Sequence, residues 1–331
     1  MKHIVLILVL LTSGPFSFAL DAVDDRLIEH AEAYQSEEIV LEKLVNYLIK
    51  ACDTETEKAE IIYYWIAQNI SYNVDGYLDG SYQTDTQNIL RTRVGVCEDY
   101  ADLYRDMARL AGLEAYAVRG YAKGLDAESD MGFQAMNHAW NIVKVGGEYK
   151  FLDSCWGSGI VMPNKELVIY YPKMQLQYIL TLPREMLDTH LPADPLWQLS
   201  KTPIDMQAFL GEGNKTYLNC SSSNPYPVVK KLAAFKELNA YGQAVVSYTR
   251  SYKFHPTDAN LECLMLAYQH AGYELLQGDF DAQKIHRGIS FYKRSAQLLQ
   301  KMEVKTIRAE LLVEDAQQAI EYGYHRLSTK F

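Results

Sequence analysis

Cys97, His138 and Asp153 follow one another along a chain of 331 residues, and these are the residue types of a nucleophile, a base and an orienting acid. A thiol needs a base to take its proton, and an imidazole needs a carboxylate or amide to hold its productive tautomer. Cys97 lies in Gly95-Val96-Cys97-Glu98-Asp99-Tyr100-Ala101, at the mouth of an amphipathic helix. His138 lies in Asn137-His138-Ala139-Trp140, and Asp153 in Phe151-Leu152-Asp153-Ser154-Cys155-Trp156-Gly157. Singly, a cysteine at a helix start is often a small buried filler, and a strand histidine is often a satisfied core residue. Together, in this order, the three point to covalent catalysis by a thiol.

These residues need particular elements to bring them together. The helix starting at Cys97 carries apolar positions Ala101, Tyr104, Ala108 and Ala111, broadened by Leu103, Met107 and Leu110, with Gly112 as its stop. Cysteine in a first turn meets free N–H groups and the positive end of the helix dipole, which favour its anionic form; Glu98 and Asp99 partly oppose this. Ala115 to Tyr121 reads as a strand and Lys123 to Gln134 as a polar loop. Two strands follow, Asn137 to Val145 and Glu148 to Asp153, joined by Gly146-Gly147 in a tight hairpin. In that register Val145 faces Glu148, Trp140 faces Asp153 and His138 faces Cys155. His138, Trp140 and Asp153 then share a sheet face, with His138 and Asp153 diagonal neighbours about 7–8 Å apart. A slip of one residue would separate them.

Upstream, Asp24 to Tyr47 is helical in pattern, and Thr54 with Glu57 forms a capping-box signature for a helix burying Ile61, Ile62, Trp65 and Ile66. Ser71 to Asn88, with Gly76, Gly80, Tyr72, Tyr77 and Tyr82, reads either as a substrate rim or as a surface connection. From Tyr170 to Asn224 the periodicity weakens, and Pro192-Ala193-Asp194-Pro195-Leu196-Trp197-Gln198 looks like an extension packed on the first domain. Asn219 to Asn224 is the most linker-like stretch. Residues 226 to 331 look all-helical. Ala244, Tyr248, Ser251 and Pro256 follow tetratricopeptide spacing, and Gly288, Tyr292 and Ser295 repeat part of it, so this region reads as tetratricopeptide-like helix pairs or as an ordinary bundle.

The chain length suits two domains of about 100–200 residues each, and 48% apolar residues supply their cores. A net charge of -10 disfavours a nucleic-acid partner, whose usual footprint is a basic patch. Residues 1–19 read as a secretory signal, with Lys2 and His3 before the apolar Ile4 to Leu11 and with Ser17-Phe18-Ala19 at the cleavage site. No later segment is long and apolar enough to span a membrane, so an exported protein, periplasmic or secreted, is expected. The domain reading is therefore a signal at 1–19, a first domain at 20–218 and a helical domain at 225–331. Five cysteines, Cys52, Cys97, Cys155, Cys220 and Cys263, are too few and scattered for a disulfide scaffold, and their odd number leaves a thiol free.

The motifs around Cys97, His138 (Asn137 to Asn141) and Asp153 (Leu152 to Gly157) resemble, in order, the three core motifs of the transglutaminase-like superfamily within the papain-like fold. Ile61 to Tyr72 is similar to that family's entry helix, and Asp194-Pro195-Leu196-Trp197-Gln198-Leu199 resembles a segment of the branch that includes the kyphoscoliosis peptidase. The resemblance covers about residues 39 to 200. It implies an α+β fold, in which the cysteine-led helix packs on an antiparallel sheet. It also implies acyl transfer through a thioester, with Cys97 as nucleophile, His138 as proton shuttle and Asp153 as its orienting acid. Peptidase or amidase action on protein or cell-wall peptide is favoured over cross-linking. The Cys97 backbone N–H would serve an oxyanion hole, and Tyr72, Gln87, Trp140 and Trp156 are candidate oxyanion or cleft residues. No metal cluster or phosphate loop is visible in the sequence, so no cofactor is expected. The family usually carries threonine or a similar residue at Cys155, which reads here as a neutral substitution, as a second nucleophile, or as a resolving thiol and redox partner of Cys97. The alternative to an enzyme is a catalytically silent binding module whose helical domain recruits a protein partner.

Overall fold

Cys97 opens α6 (Cys97–Leu110), and this helix decides how the chain around it folds. Its inward stripe of Ala101, Leu103, Tyr104, Met107 and Ala108 is buried. Leu110, expected on that stripe, is instead 46% exposed, two residues before the left-handed Gly112 that follows the helix. This is a computed structural model, and it describes residues 24–36, 38–80, 85–124, 133–164, 167–211 and 225–329. The expected signal sequence at 1–19, Tyr82 and the expected linker at 219–224 lie outside the described residues.

α6 packs on an antiparallel sheet of order β5-β4-β3-β8, formed by β3 (Glu114–Ala122), β4 (His138–Val145), β5 (Glu148–Leu152) and β8 (His190–Pro192). β4 and β5 meet in the expected register, with Val145 opposite Glu148 and Asn141 opposite Leu152. Gly146 and Gly147 both have positive φ, 57° and 84°, as a two-residue hairpin with the sheet's own twist demands. The second strand does not reach Asp153. It ends at Leu152, because Asp153 turns its carboxylate onto the N–H groups of Cys155 and Trp156 and caps the short helix α7 (Ser154–Ser158). Cys155 therefore does not face His138 across a ladder.

The entry helix is α3 (Glu55–Asn69), and Thr54 and Glu57 form the expected capping box. The upstream helical pattern divides into α1 (Asp25–Glu32) and α2 (Leu41–Leu48), since Gln35-Ser36 brings no apolar side chain to the periodic face. The tyrosine-rich segment is not one loop. It forms β1 (Ser71–Tyr72), α4 (Val74–Asp79) and α5 (Thr86–Thr92), with β1 pairing in parallel with β2 (Val94–Gly95) just before Cys97. The hairpin β6 (Gly159–Asn164) and β7 (Leu167–Pro172) follows α7.

Both faces of the central sheet are covered, which explains why six consecutive residues of β4 from His138 are buried. Ala139 and Val143 join the core beneath α6, and Asn141 donates to the Ala101 carbonyl at 2.7 Å. On the other face, Trp140, Ile142 and Phe151 pack with Leu196 and Trp197, and then with Leu232 and Phe235. The last two belong to α8 (Val228–Lys236). α9 (Ala240–Phe254), α10 (Asp258–Leu276), α11 (Ala282–Leu298) and α12 (Ile307–Ser328) continue the helical C-terminal region. No helix among the described residues is long and apolar enough to cross a membrane.

Candidate active site

The hairpin, the α7 cap and the start of α6 place three predicted residues together in a largely dry region. His138 is the first residue of β4 and is 8% exposed; Asp153 is fully buried. Their side chains meet at 2.7 Å, His138 Nε2 to Asp153 Oδ2. Cys97, 7% exposed in the first turn of α6, lies near enough to help raise the His138 pKa. With Nε2 committed to the carboxylate, Nδ1 is the nitrogen left to face the thiol.

Burial disfavours the charged imidazole, but the Asp153 carboxylate first and Cys97 second outweigh it, and the His138 pKa rises to about 10. Asp153 is the converse case. Burial works against its ionisation, yet the imidazoles of His138 and then His190 hold its carboxyl well below the usual carboxylate range. A charged imidazole beside a thiol, backed by a carboxylate, is the arrangement that keeps a proton on His138 and ready for transfer.

His190 is the residue that reading the sequence missed. It sits wholly buried on β8, and its Nε2 lies 3.1 Å from the same Asp153 Oδ2. Burial, chiefly, holds its pKa below the ordinary value, so the neutral ring donates through Nε2 and accepts the Thr189 hydroxyl at Nδ1, 2.8 Å away. The only hint was its place in Thr189-His190-Leu191-Pro192, just ahead of the expected extension; nothing in the spacing reveals that this short strand pairs with β3. Gly120 makes that approach feasible: a Cβ there would stand 2.2 Å from the Leu191 carbonyl oxygen. The ligand atoms of His138, Asp153 and His190 lie within 4.8 Å of one another. Both imidazoles, however, already hydrogen-bond one carboxylate oxygen, so a cation would have to displace those protons.

The remaining predicted residues divide. Trp140 is 1% exposed and, with Trp156, rings the two histidines: Trp140 lies 5.0 Å and Trp156 4.4 Å from the His190 ring. A cavity of about 550 Å³ opens beside them, and Tyr72, Trp156, His138 and Cys155 form part of its wall. Gln87 stands exposed on α5 and Trp140 lies behind the histidines; neither is among the lining residues. Cys97 is not among them either. Cys155 also occupies a helix start, in the first turn of α7. Its thiol is nevertheless pushed upward, by burial first and then by the charges of Asp153 and Cys97. Both Cys97 and Cys155 carry free thiols.

A cysteine-led helix laid on an antiparallel sheet, with the histidine at the start of one strand and the aspartate just beyond the end of its neighbour, defines a transglutaminase-like fold. Residues 42–154 match the model of the transglutaminase-like superfamily, and the chain carries a domain of that superfamily. Among curated proteins it is 33% identical over 193 residues to the kyphoscoliosis peptidase of Mus musculus, covering 56% of this chain and 29% of that protein. It is 29% identical over 191 residues to hillarin of Drosophila melanogaster, covering 53% of this chain and 22% of that protein. The chain thus spans less than a third of the length of either relative. A solved structure described as a TGase shares 15% identity, covering 46% of this chain and 37% of that one, with a TM-score of 0.30 that carries no argument.

Proposed function

We propose that this protein is an exported cysteine-dependent acyl-transfer enzyme acting on peptide or carboxamide bonds, as peptidase or amidase rather than cross-linker. The observation that carries the reading is the buried His138–Asp153 pair at 2.7 Å with Cys97 against the imidazole. The Cys97 sulfur attacks the carbonyl carbon while its proton rests on His138. The tetrahedral oxyanion forms beside the Cys97 backbone N–H at the start of α6. As the C–N bond breaks, His138 gives its proton to the leaving amine and Cys97 is left as a thioester. Acylation removes the sulfur's negative charge, one of the influences that raise the His138 pKa, so proton release is favoured at this step. Neutral His138 then takes a proton from water, whose oxygen attacks the thioester. The acid product leaves and Cys97 is restored.

One observation favours a second reading, a catalytically silent binding module. The cavity wall includes His138 and Cys155 but not Cys97, which is 7% exposed. Alkylation of each thiol by iodoacetamide, read by mass spectrometry, separates the two. Fast labelling of Cys97 in the wild type and at least about tenfold slower labelling in His138→Ala supports the enzyme, a factor within what a positioned base contributes. Equal labelling of the two proteins supports the silent module.

A further inference from the structure

The cavity beside His138 has a chemical character that the acyl-transfer reading does not itself supply. Its volume of about 550 Å³ is in the range that encloses a small ligand or a few peptide residues. The wall combines aromatic rings from Tyr72, Trp156, Tyr170 and Tyr178 with aliphatic groups such as Leu78 and Ile160. Among the described lining residues there is no aspartate, glutamate, lysine or arginine. Several of its polar groups are already engaged. The Asn137 amide both accepts from and donates to the Ala122 backbone, the Tyr170 hydroxyl donates to the Ser158 carbonyl, and the Gln177 amide donates to Gln175. A charged side chain entering here would shed water and find, among the described lining residues, only the His138 imidazolium, whose charge the Asp153 carboxylate already matches. An apolar one would lose only unfavourable hydration.

We propose that this cavity seats a neutral peptide segment bearing an apolar or aromatic side chain, next to the carbonyl that Cys97 attacks; that last placement rests on the acyl-transfer reading. The seat adjoins the reacting groups, because His138 forms part of its wall. Selectivity here follows from the largely aromatic and aliphatic wall: with the His138 charge already paired to Asp153, the described lining residues favour a neutral segment over carboxylates and ammonium groups.

Binding is testable apart from turnover in full-length Cys97→Ala, by fluorescence anisotropy of labelled, end-capped Gly/Ser peptides that differ in one central residue. The Phe and Leu peptides should bind at least about tenfold more tightly than the Glu and Lys peptides, the scale of discrimination a hydrophobic pocket achieves. Ile160→Lys, introduced at a position 41% exposed, should weaken the Phe peptide and strengthen the Glu peptide. Equal affinities, a preference for charge, or failure of all four peptides to bind overturns the assignment. Turnover of the Phe peptide by the wild-type protein is measured alongside. If the binding preference holds and turnover is absent, the acyl-transfer reading falls while the seat stands.

Discussion

His138 and Asp153 each favour the other's charged form, and the directions of their shifts fix where stability depends on pH. His138 is raised from 6.5 to about 10, so its contribution is complete below the unfolded value and is lost as pH climbs through the folded one. Asp153 is lowered from 3.8; its contribution is present above that value and is lost only in strong acid. Between about pH 7 and about pH 10, the wild type should therefore lose up to about 1.4 kcal/mol per pH unit relative to His138→Gln. Urea unfolding of both proteins across that window checks this, and parallel stability curves would remove the charged pair from the account. His190 acts one step further back, as a positioning residue holding the carboxylate that holds His138. A hydrogen bond to a charged group contributes about 1.5–3 kcal/mol, so His190→Phe should lower kcat by roughly 10- to 100-fold with KM little changed. His190→Asn, which keeps a donor, should recover part of that loss. A fall confined to KM, or no rescue by asparagine, would place His190 among ordinary core residues.

At the scale of elements, the site depends on one turn and one cap. The Gly146-Gly147 turn fixes the β4–β5 register that brings Asp153 to the end of β5, and the α7 cap then aims the carboxylate. Gly147 has φ 84°, and a Cβ added there meets nothing within 4 Å. Gly147→Ala should therefore cost only backbone strain, about 1–2 kcal/mol, seen as a lower urea midpoint with an unchanged slope. A larger loss accompanied by slower Cys97 alkylation would mean that the register itself had moved. Much of this was legible beforehand. Cys97 at a helix start, the hairpin register and the Thr54–Glu57 box all follow from local chemistry, where neighbouring residues satisfy one another. Other features depend on contacts distant in sequence. That Asp153 caps a helix depends on a competition between ladder and cap that alternation alone cannot decide. That His190 reaches Asp153 depends on β8 joining the far edge of the sheet, and on a glycine at 120 that lets it approach. The all-helical reading of residues 226 to 331 holds, but nothing in the local pattern revealed their attachment to the sheet.

That attachment is a matter for the whole molecule. The sheet has two apolar faces and α6 covers one; Trp197, Leu232 and Phe235 close the other, with the Trp197 and Phe235 rings 5.2 Å apart and nearly perpendicular. Polar contacts fasten the same seam. Asp194, 2% exposed, accepts from Arg250 and from Ser247, and Asn260 donates to the Tyr121 hydroxyl. The Pro192 to Gln198 extension is therefore the joint through which the helical region bears on the sheet, and β8 with His190 lies at its start. A buried carboxylate deprived of its guanidinium is costly, so Arg250→Ala should destabilise the chain by about 3–5 kcal/mol. Arg250→Ala combined with Asp194→Ala should recover most of that, because the double variant leaves no unpaired charge behind. Denaturant unfolding of the two single variants and the double closes the cycle. A single cooperative transition that moves with Arg250→Ala would show that the sheet and the helices unfold together. Two transitions, with only the later-melting or earlier-melting one displaced, would instead make the helical region a separate module and free the site from its support.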